Sequence, residues 1–370
     1  MKASSQRLPG LDGLRAIAVS FVLFAHVLAS DGWVESEWMF QIERIFSGLL
    51  GVQIFFAISG FIITLLLLRE KRNTGTISLK QFWLRRALRI LPPALAFLLI
   101  LQMLGSLNLI PLPAETQLGS LFFYRNMMPD EPWFSSRQGF TSHYWSLSVE
   151  EQFYLIWPFA VAALAMARLR ILAWLGVGLS IALRICLPWW YEGELGRWLP
   201  LNLDGFMIGA LVGIEVAEGH SMRWQSLWRI RWPLLVITLI LTRLYASKFH
   251  DQVEAIQPVA AAIMTGVWIA GLINRPAGFE SRLLNSRPLV GLGLISYSVY
   301  LWQQLCLGPS AFWTSGKAPW LSGFPQNILA ALVCGALSYL FIEQPFLWLK
   351  NWMAKRHAPS VPRASVTCPL

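Results

Sequence analysis

Ten long apolar runs recur along the chain, at 12–30, 48–68, 90–110, 145–167, 171–188, 201–217, 232–246, 256–273, 288–307 and 325–347. Runs of that length and number have no good solution in water. In a bilayer each must close its own backbone hydrogen bonds, which a helix of about 20 apolar residues does. Hydrophobic types make up 55% of the 370 residues and charged types only 14%, against about 25% charged in an ordinary soluble domain. A disordered chain, a disulfide scaffold and a soluble enzyme therefore all fit poorly. The sequence predicts an all-α polytopic membrane protein with about ten transmembrane helices over residues 1–350. A short cytoplasmic tail, 351–370, mixes Pro, Ser, Arg and Val and reads as disordered.

The net charge of +10 does not indicate a nucleic-acid partner, because the basic residues cluster in short groups between the apolar runs. In a membrane protein such groups set orientation. With ten spans, 21 Lys and Arg fall in loops on the side of the N-terminus, 6 fall on the opposite side and 3 (Arg15, Arg184, Arg243) lie within spans. That bias places both termini in the cytoplasm. Within the first run, Arg15 followed by an apolar stretch and then Val27-Leu28-Ala29 has the outline of a cleavable signal, but Asp12 and His26 are odd residues for a disposable segment. The four Cys are scattered and the five His lack ligand spacing, so no disulfide and no metal are expected.

Polar groups inside spans are the places to look for function. Arg15 and His26 are 11 positions apart, which on a helix is about 20° past three full turns and about 16 Å along the axis. Both share one face, so an anion held at Arg15 points a chain of moderate length at His26, the usual general base near neutral pH. The plainer alternative is a packing His and an anchoring Arg. The fourth run opens with His143, Tyr144, Ser146, Glu150 and Tyr154. There His143, Ser146, Glu150 and Tyr154 fall on one helical stripe. A helix cap explains Ser146 and one acid but not two acids plus His143. The loop before the third run carries Arg85, Arg86 and Arg89 among aromatics, suited to the phosphates of a nucleotide-like cofactor and equally to anchoring topology. Asp204 either caps its helix or faces a cavity, and Gly205, Gly209 and Gly213 behind it read as close helix packing. Glu343 is expected to pair with Arg15 or the loop arginines, in the site or as a structural ion pair.

These features together resemble the membrane acyltransferase-3 family, the O-acyltransferases of bacterial glycans and some macrolides. The resemblance runs from about Leu8 to Leu349. It rests on Leu8-Pro9-Gly10-Leu11-Asp12-Gly13-Leu14-Arg15-Ala16, the spacing of Arg15 and His26, and the stretch Gly51–Phe61. Arg86-x-x-Arg89, Trp145-Ser146-Leu147-Ser148-Val149-Glu150 and Phe341-Ile342-Glu343-Gln344-Pro345 complete it. Each motif is weak alone, and six in order on such a chain are specific.

The family implies a ten-helix domain of the bacterial inner membrane that takes an acyl group, commonly acetyl, from acyl-coenzyme A and passes it to a hydroxyl, often on a sugar. His26 carries over as the catalytic histidine, with Arg15 in support and Arg86 and Arg89 at the donor site. Arg85 joins them by position. Glu150 is expected to orient His26, and Ser146, Tyr144 or a backbone amide to supply oxyanion donors. His143, Asp204 and Glu343 are supporting candidates. The expected partners are the bilayer and a carbohydrate or macrolide-like acceptor. Some relatives append an extracellular domain, which is not expected here. The aromatic-rich segment 111–143 suits stacking on sugar rings, and equally an interfacial belt. The rival classes are a secondary transporter, which would be expected to show inverted repeats, and a non-catalytic glycan-export protein.

Overall fold

The computed structural model describes residues 8–28, 30, 37–128, 139–186, 197–219, 222–247, 249, 253–308, 313–315 and 319–356. Residues 129–138 of the aromatic outer segment and 357–370 of the tail lie outside them. The described residues are helical, without strands. In chain order the helices are α1 (Leu11–Leu28), α2 (Glu37–Ile45), α3 (Gly48–Thr74), α4 (Leu79–Ser106), α5 (Ala114–Leu121), α6 (Tyr144–Ala163), α7 (Met166–Cys186) and α8 (Leu203–Glu218). Then follow α9 (Met222–Leu227), α10 (Arg231–Tyr245), α11 (Gln257–Asn274), α12 (Phe279–Leu284), α13 (Arg287–Leu307), α14 (Gln326–Ser338) and α15 (Gln344–Arg356).

Each of the ten apolar runs is helical over most of its described residues. Among the described residues, seven segments are long and apolar enough to cross a membrane: Leu11–Leu28, Gly48–Thr74, Leu79–Ser106, Met166–Cys186, Leu199–Glu218, Gln257–Asn274 and Gln326–Lys350. The other three runs fall short for identifiable reasons. α10 has only 15 residues, and α6 and α13 carry the polar groups Ser146, Glu150, Glu151, Ser296, Gln303 and Gln304. Large apolar side chains such as Leu99, Ile171, Leu175 and Leu329 point outward from α4, α7 and α14, as lipid-facing surfaces require.

α3 is the hub. It packs on α8, α1, α11 and α6. Its start is capped by Ser47, whose hydroxyl accepts from the Leu50 amide at 3.2 Å, and its end by Gly75 in the left-handed region at φ 78°, where only glycine is unstrained. The expected close packing at the glycines of α8 is present. A Cβ on Gly209 would land on the Ala57 carbonyl, and one on Gly205 would lie 3.0 Å from Phe56. Gly209→Ala should therefore cost about 1–3 kcal/mol, the range for overpacking. Gly178→Ala on α7, with nothing within 4 Å, should be neutral or mildly stabilising. Thermal denaturation of the two variants in detergent checks the contrast.

Two boundaries differ from the sequence reading. The arginine segment assigned to a loop is the first three turns of α4, capped by Ser78 through the Gln81 amide at 3.4 Å. The final run divides: Gln344 donates to Tyr339 five residues back, which opens a π turn over Tyr339–Glu343. Pro345 cannot donate an amide to the preceding turn, which favours such an opening. α15 continues to Arg356, so the first six residues assigned to the tail are helical.

Candidate active site

α1 carries Arg15 near one end and His26 near the other, as the spacing required, and the two side chains open onto two different cavities. The first, the arginine cavity, is lined by Arg15, Arg86, Arg89, Ser59, Glu150 and Glu151 and by the serine and tyrosines of α13, Ser296, Tyr297 and Tyr300. The second, the histidine cavity, is lined by His26, Ser47, Ser142, His143, Trp145, Arg197, Thr242 and Tyr245. Val52 and Tyr300 line both and form the wall between them.

His26 sets its own tautomer. Its Nδ1 lies 2.8 Å from the Val22 carbonyl, an acceptor only, so Nδ1 carries the proton. The neutral ring then presents an unprotonated Nε2, the form a general base needs. The orienting group is this backbone carbonyl one turn earlier on α1. Glu150, assigned that task from the sequence, is engaged elsewhere. It accepts from the hydroxyls of Ser59 and Tyr154 and pairs with Arg86 at 3.8 Å, whose guanidinium also stacks 3.9 Å from the centre of the Tyr154 ring. Glu150 thus holds Arg86 in the arginine cavity.

Arg15 meets Asp12 at 3.7 Å. Arg89 makes no ion pair or hydrogen bond among the described residues, which leaves its charge available inside the cavity. Arg85 parts from its two neighbours. It donates to Glu70 at 2.9 Å and to Gln81 at 3.4 Å and faces an adjoining groove with Lys80 and Lys350. Glu343 is buried, accepts from Ser298 at 3.0 Å and has no basic side chain in ion-pair range among the described residues. Arg89 and Arg15 still act on it through space.

Asp204 belongs to neither cavity. It forms a two-pronged pair with Arg184, at 2.8 and 3.1 Å, which makes it a structural anchor between α7 and α8. The Tyr144 hydroxyl is bound to the Ala94 carbonyl at 3.1 Å and lines neither cavity, so it is not placed as an oxyanion donor. Ser146 lines the arginine cavity, with its hydroxyl 2.5 Å from that of Tyr300. His143 is buried edge-on between Phe97, Tyr144 and Tyr300, with neither ring nitrogen hydrogen-bonded. Its ring serves as packing in the cavity wall.

The sequence reading missed Ser59, Tyr297 and Tyr300. The signal was available in outline, since Ser296-Tyr297-Ser298-Val299-Tyr300 is a polar patch in an otherwise apolar run.

The family described as an acyltransferase domain matches residues 8–343. Among curated relatives, a Staphylococcus aureus (strain COL) protein named "Putative O-acetyltransferase SACOL0978" is 28% identical over 366 residues, covering 92% of this chain. The O-acetyltransferase OatA of S. aureus (strain NCTC 8325) is 27% identical over 375 residues, also covering 92%. The chain spans 57% of the length of each. No solved structure matches.

Proposed function

The chain belongs to the acyltransferase-3 family and is a multi-pass membrane acyltransferase, and from that premise we propose that it moves an acetyl group from acetyl-coenzyme A to a hydroxyl of a glycan or glycosylated metabolite. The observation that carries the proposal is the pair of cavities meeting at one wall, arginines on one side and the unprotonated His26 nitrogen on the other.

The arginine cavity has about 70 Å³ of free space, the share of two or three waters at about 30 Å³ each. As it stands that space takes the thioester end of a pantetheine arm, and a nucleotide does not fit it. The nucleotide stays at the cytoplasmic side, its phosphates on Arg86 and Arg89. The groove of Lys80, Arg85 and Lys350, about 400 Å³, lies alongside. The histidine cavity holds about 420 Å³, within the usual range of ligand sites. Its Trp145 face, Arg197 and ring of hydroxyls suit a polyol. His26 Nε2 takes the proton of the acceptor hydroxyl as its oxygen attacks the thioester carbon. The carbon–sulfur bond then breaks, and the proton passes to the leaving thiolate. The positive-inside charge bias and the family resemblance support the bacterial inner membrane as the place of this reaction. The comparison with the OatA proteins, named O-acetyltransferases, supports acetyl as the group and oxygen as the acceptor atom.

The test is thiol release from acetyl-coenzyme A by the purified protein with candidate acceptors, alongside mass spectrometry of surface glycans with and without the gene. An added mass of one acyl unit names the product. Absence of both thiol release and a mass change ends the proposal, and substrate movement without thioester consumption establishes the transporter instead. In the same assay Arg89→Gln should raise the donor KM about tenfold or more, the worth of one lost charge-assisted hydrogen bond. Arg85→Gln should raise it no more than about threefold, because Glu70 already neutralises that charge.

A further inference from the structure

The wall between the cavities contains a pair of hydroxyls that the reaction can use. Tyr300 lies in the middle of α13 and Ser146 in the first turn of α6, 6% and 5% exposed. Their oxygens are 2.5 Å apart, and each lies 3.2 Å from the carbonyl oxygen of His143. One hydroxyl donates to the other, so the pair from two different helices delivers one O–H at a time to a single oxygen atom. The Tyr300 ring is held by edge contacts with Phe55 and His143, so the phenol oxygen is fixed while its hydrogen is free to rotate.

Resting on the acyl-transfer reading above, the geometry points to Tyr300, with Ser146, as the oxyanion donor of the reaction. In the resting protein the His143 carbonyl occupies the place of the substrate oxygen. That carbonyl is the N-cap acceptor of α6 and keeps the first intrahelical hydrogen bond when the hydroxyls turn away. Turning the Tyr300 O–H toward an incoming thioester oxygen, with Ser146 donating to the phenol oxygen, therefore costs little. The site is also where the chemistry has to happen. Tyr300 lines both cavities, so a thioester arriving from the arginine side meets it before reaching the side that holds His26. When the acceptor oxygen bonds to the thioester carbon, the carbonyl electrons move onto oxygen. Tyr300 donates to that oxygen, Ser146 donates to the Tyr300 oxygen, and both keep their protons. The acceptor proton goes to His26 Nε2, and collapse expels the thiolate, which takes the proton. Fixed donors in a dry site are worth far more than the same groups in water.

Tyr300→Phe removes the donor and keeps the ring, so the wall stays closed. In the full-length protein, with acetyl-coenzyme A and the acceptor found active, it should lower kcat about 10²- to 10³-fold, the effect of removing one oxyanion donor. The donor KM should stay within about threefold, since the ground-state carbonyl bonds weakly to these groups. Ser146→Ala should shift kcat in the same direction with KM again unmoved. A packing role would instead move the melting temperature and leave kcat, or would raise KM. If either variant is folded and turns over at the native rate, the assignment is overturned. If one fails to fold, the other decides. Should His26→Ala be dead while both hydroxyl variants are active, this inference fails alone. Should the native protein release no thiol at all, the acyl-transfer reading fails and takes the inference with it.

Discussion

His26→Ala will be made, will fold and will transfer nothing measurable. The imidazole is the base in the proposed step, and a positioned base contributes about 10²- to 10⁴-fold. Alanine also removes the Nδ1–H bond to the Val22 carbonyl, so it tests the base and a piece of packing together. His26→Asn separates them. An Asn amide can donate to the same carbonyl one turn back on α1, as serines in helices do, yet it cannot accept a proton near neutral pH. If His26 is the base, both variants lose transfer, and Asn keeps a native melting temperature. If the residue is only a packing group, Asn restores activity. Thiol release from acetyl-coenzyme A with the active acceptor measures the first quantity, and thermal denaturation the second. Full turnover by either variant would remove His26 from the chemistry.

What was legible beforehand followed from how local each feature is. Apolar helices and the small-residue stripe on α8 each depend on one segment's own periodicity; the stripe is found as read, and seven of the ten expected spans are long and apolar enough to cross a membrane. The arginines show where that reasoning stops. On α4, residues 85, 86 and 89 lie within about 100° of one another around the axis, so spacing alone groups all three. The partition is made by Glu70 at the far end of α3, which captures Arg85, and by Glu150 on α6, which captures Arg86. Neither capture leaves a trace in local pattern. The partner of Tyr300 was not legible for the same reason, although the polar patch around it was. A tyrosine in an apolar run reads as core or interface, and only the meeting of α13 with α6 gives its hydroxyl a partner. Asp204 carried two readings, cap or cavity, and its partner from α7 supplies a third.

That partner also sets the largest expected effect on stability. Asp204→Ala will remove the carboxylate that pairs two-pronged with the Arg184 guanidinium, where both side chains are 3% exposed. Removing one member of a buried pair costs about 3–5 kcal/mol, because the surviving charge stays desolvated. The guanidinium also donates to the Leu201 carbonyl, and Ser180 bonds the Pro200 carbonyl at 2.7 Å and the Asp204 amide at 3.2 Å. The pair therefore stitches the end of α7 to the start of α8, the helix that fits its glycines against α3. Loss should appear as a steep drop in melting temperature and in detergent-stable yield. The converse experiment decides between charge and shape. Replacing Arg184 and Asp204 together by leucine removes both charges, and such swaps are often neutral or stabilising. Neither residue lines either cavity, so a double variant that recovers stability should recover transfer as well. If it recovers stability but stays inactive, Asp204 acts on the site through α8, and its place as a purely structural anchor is wrong.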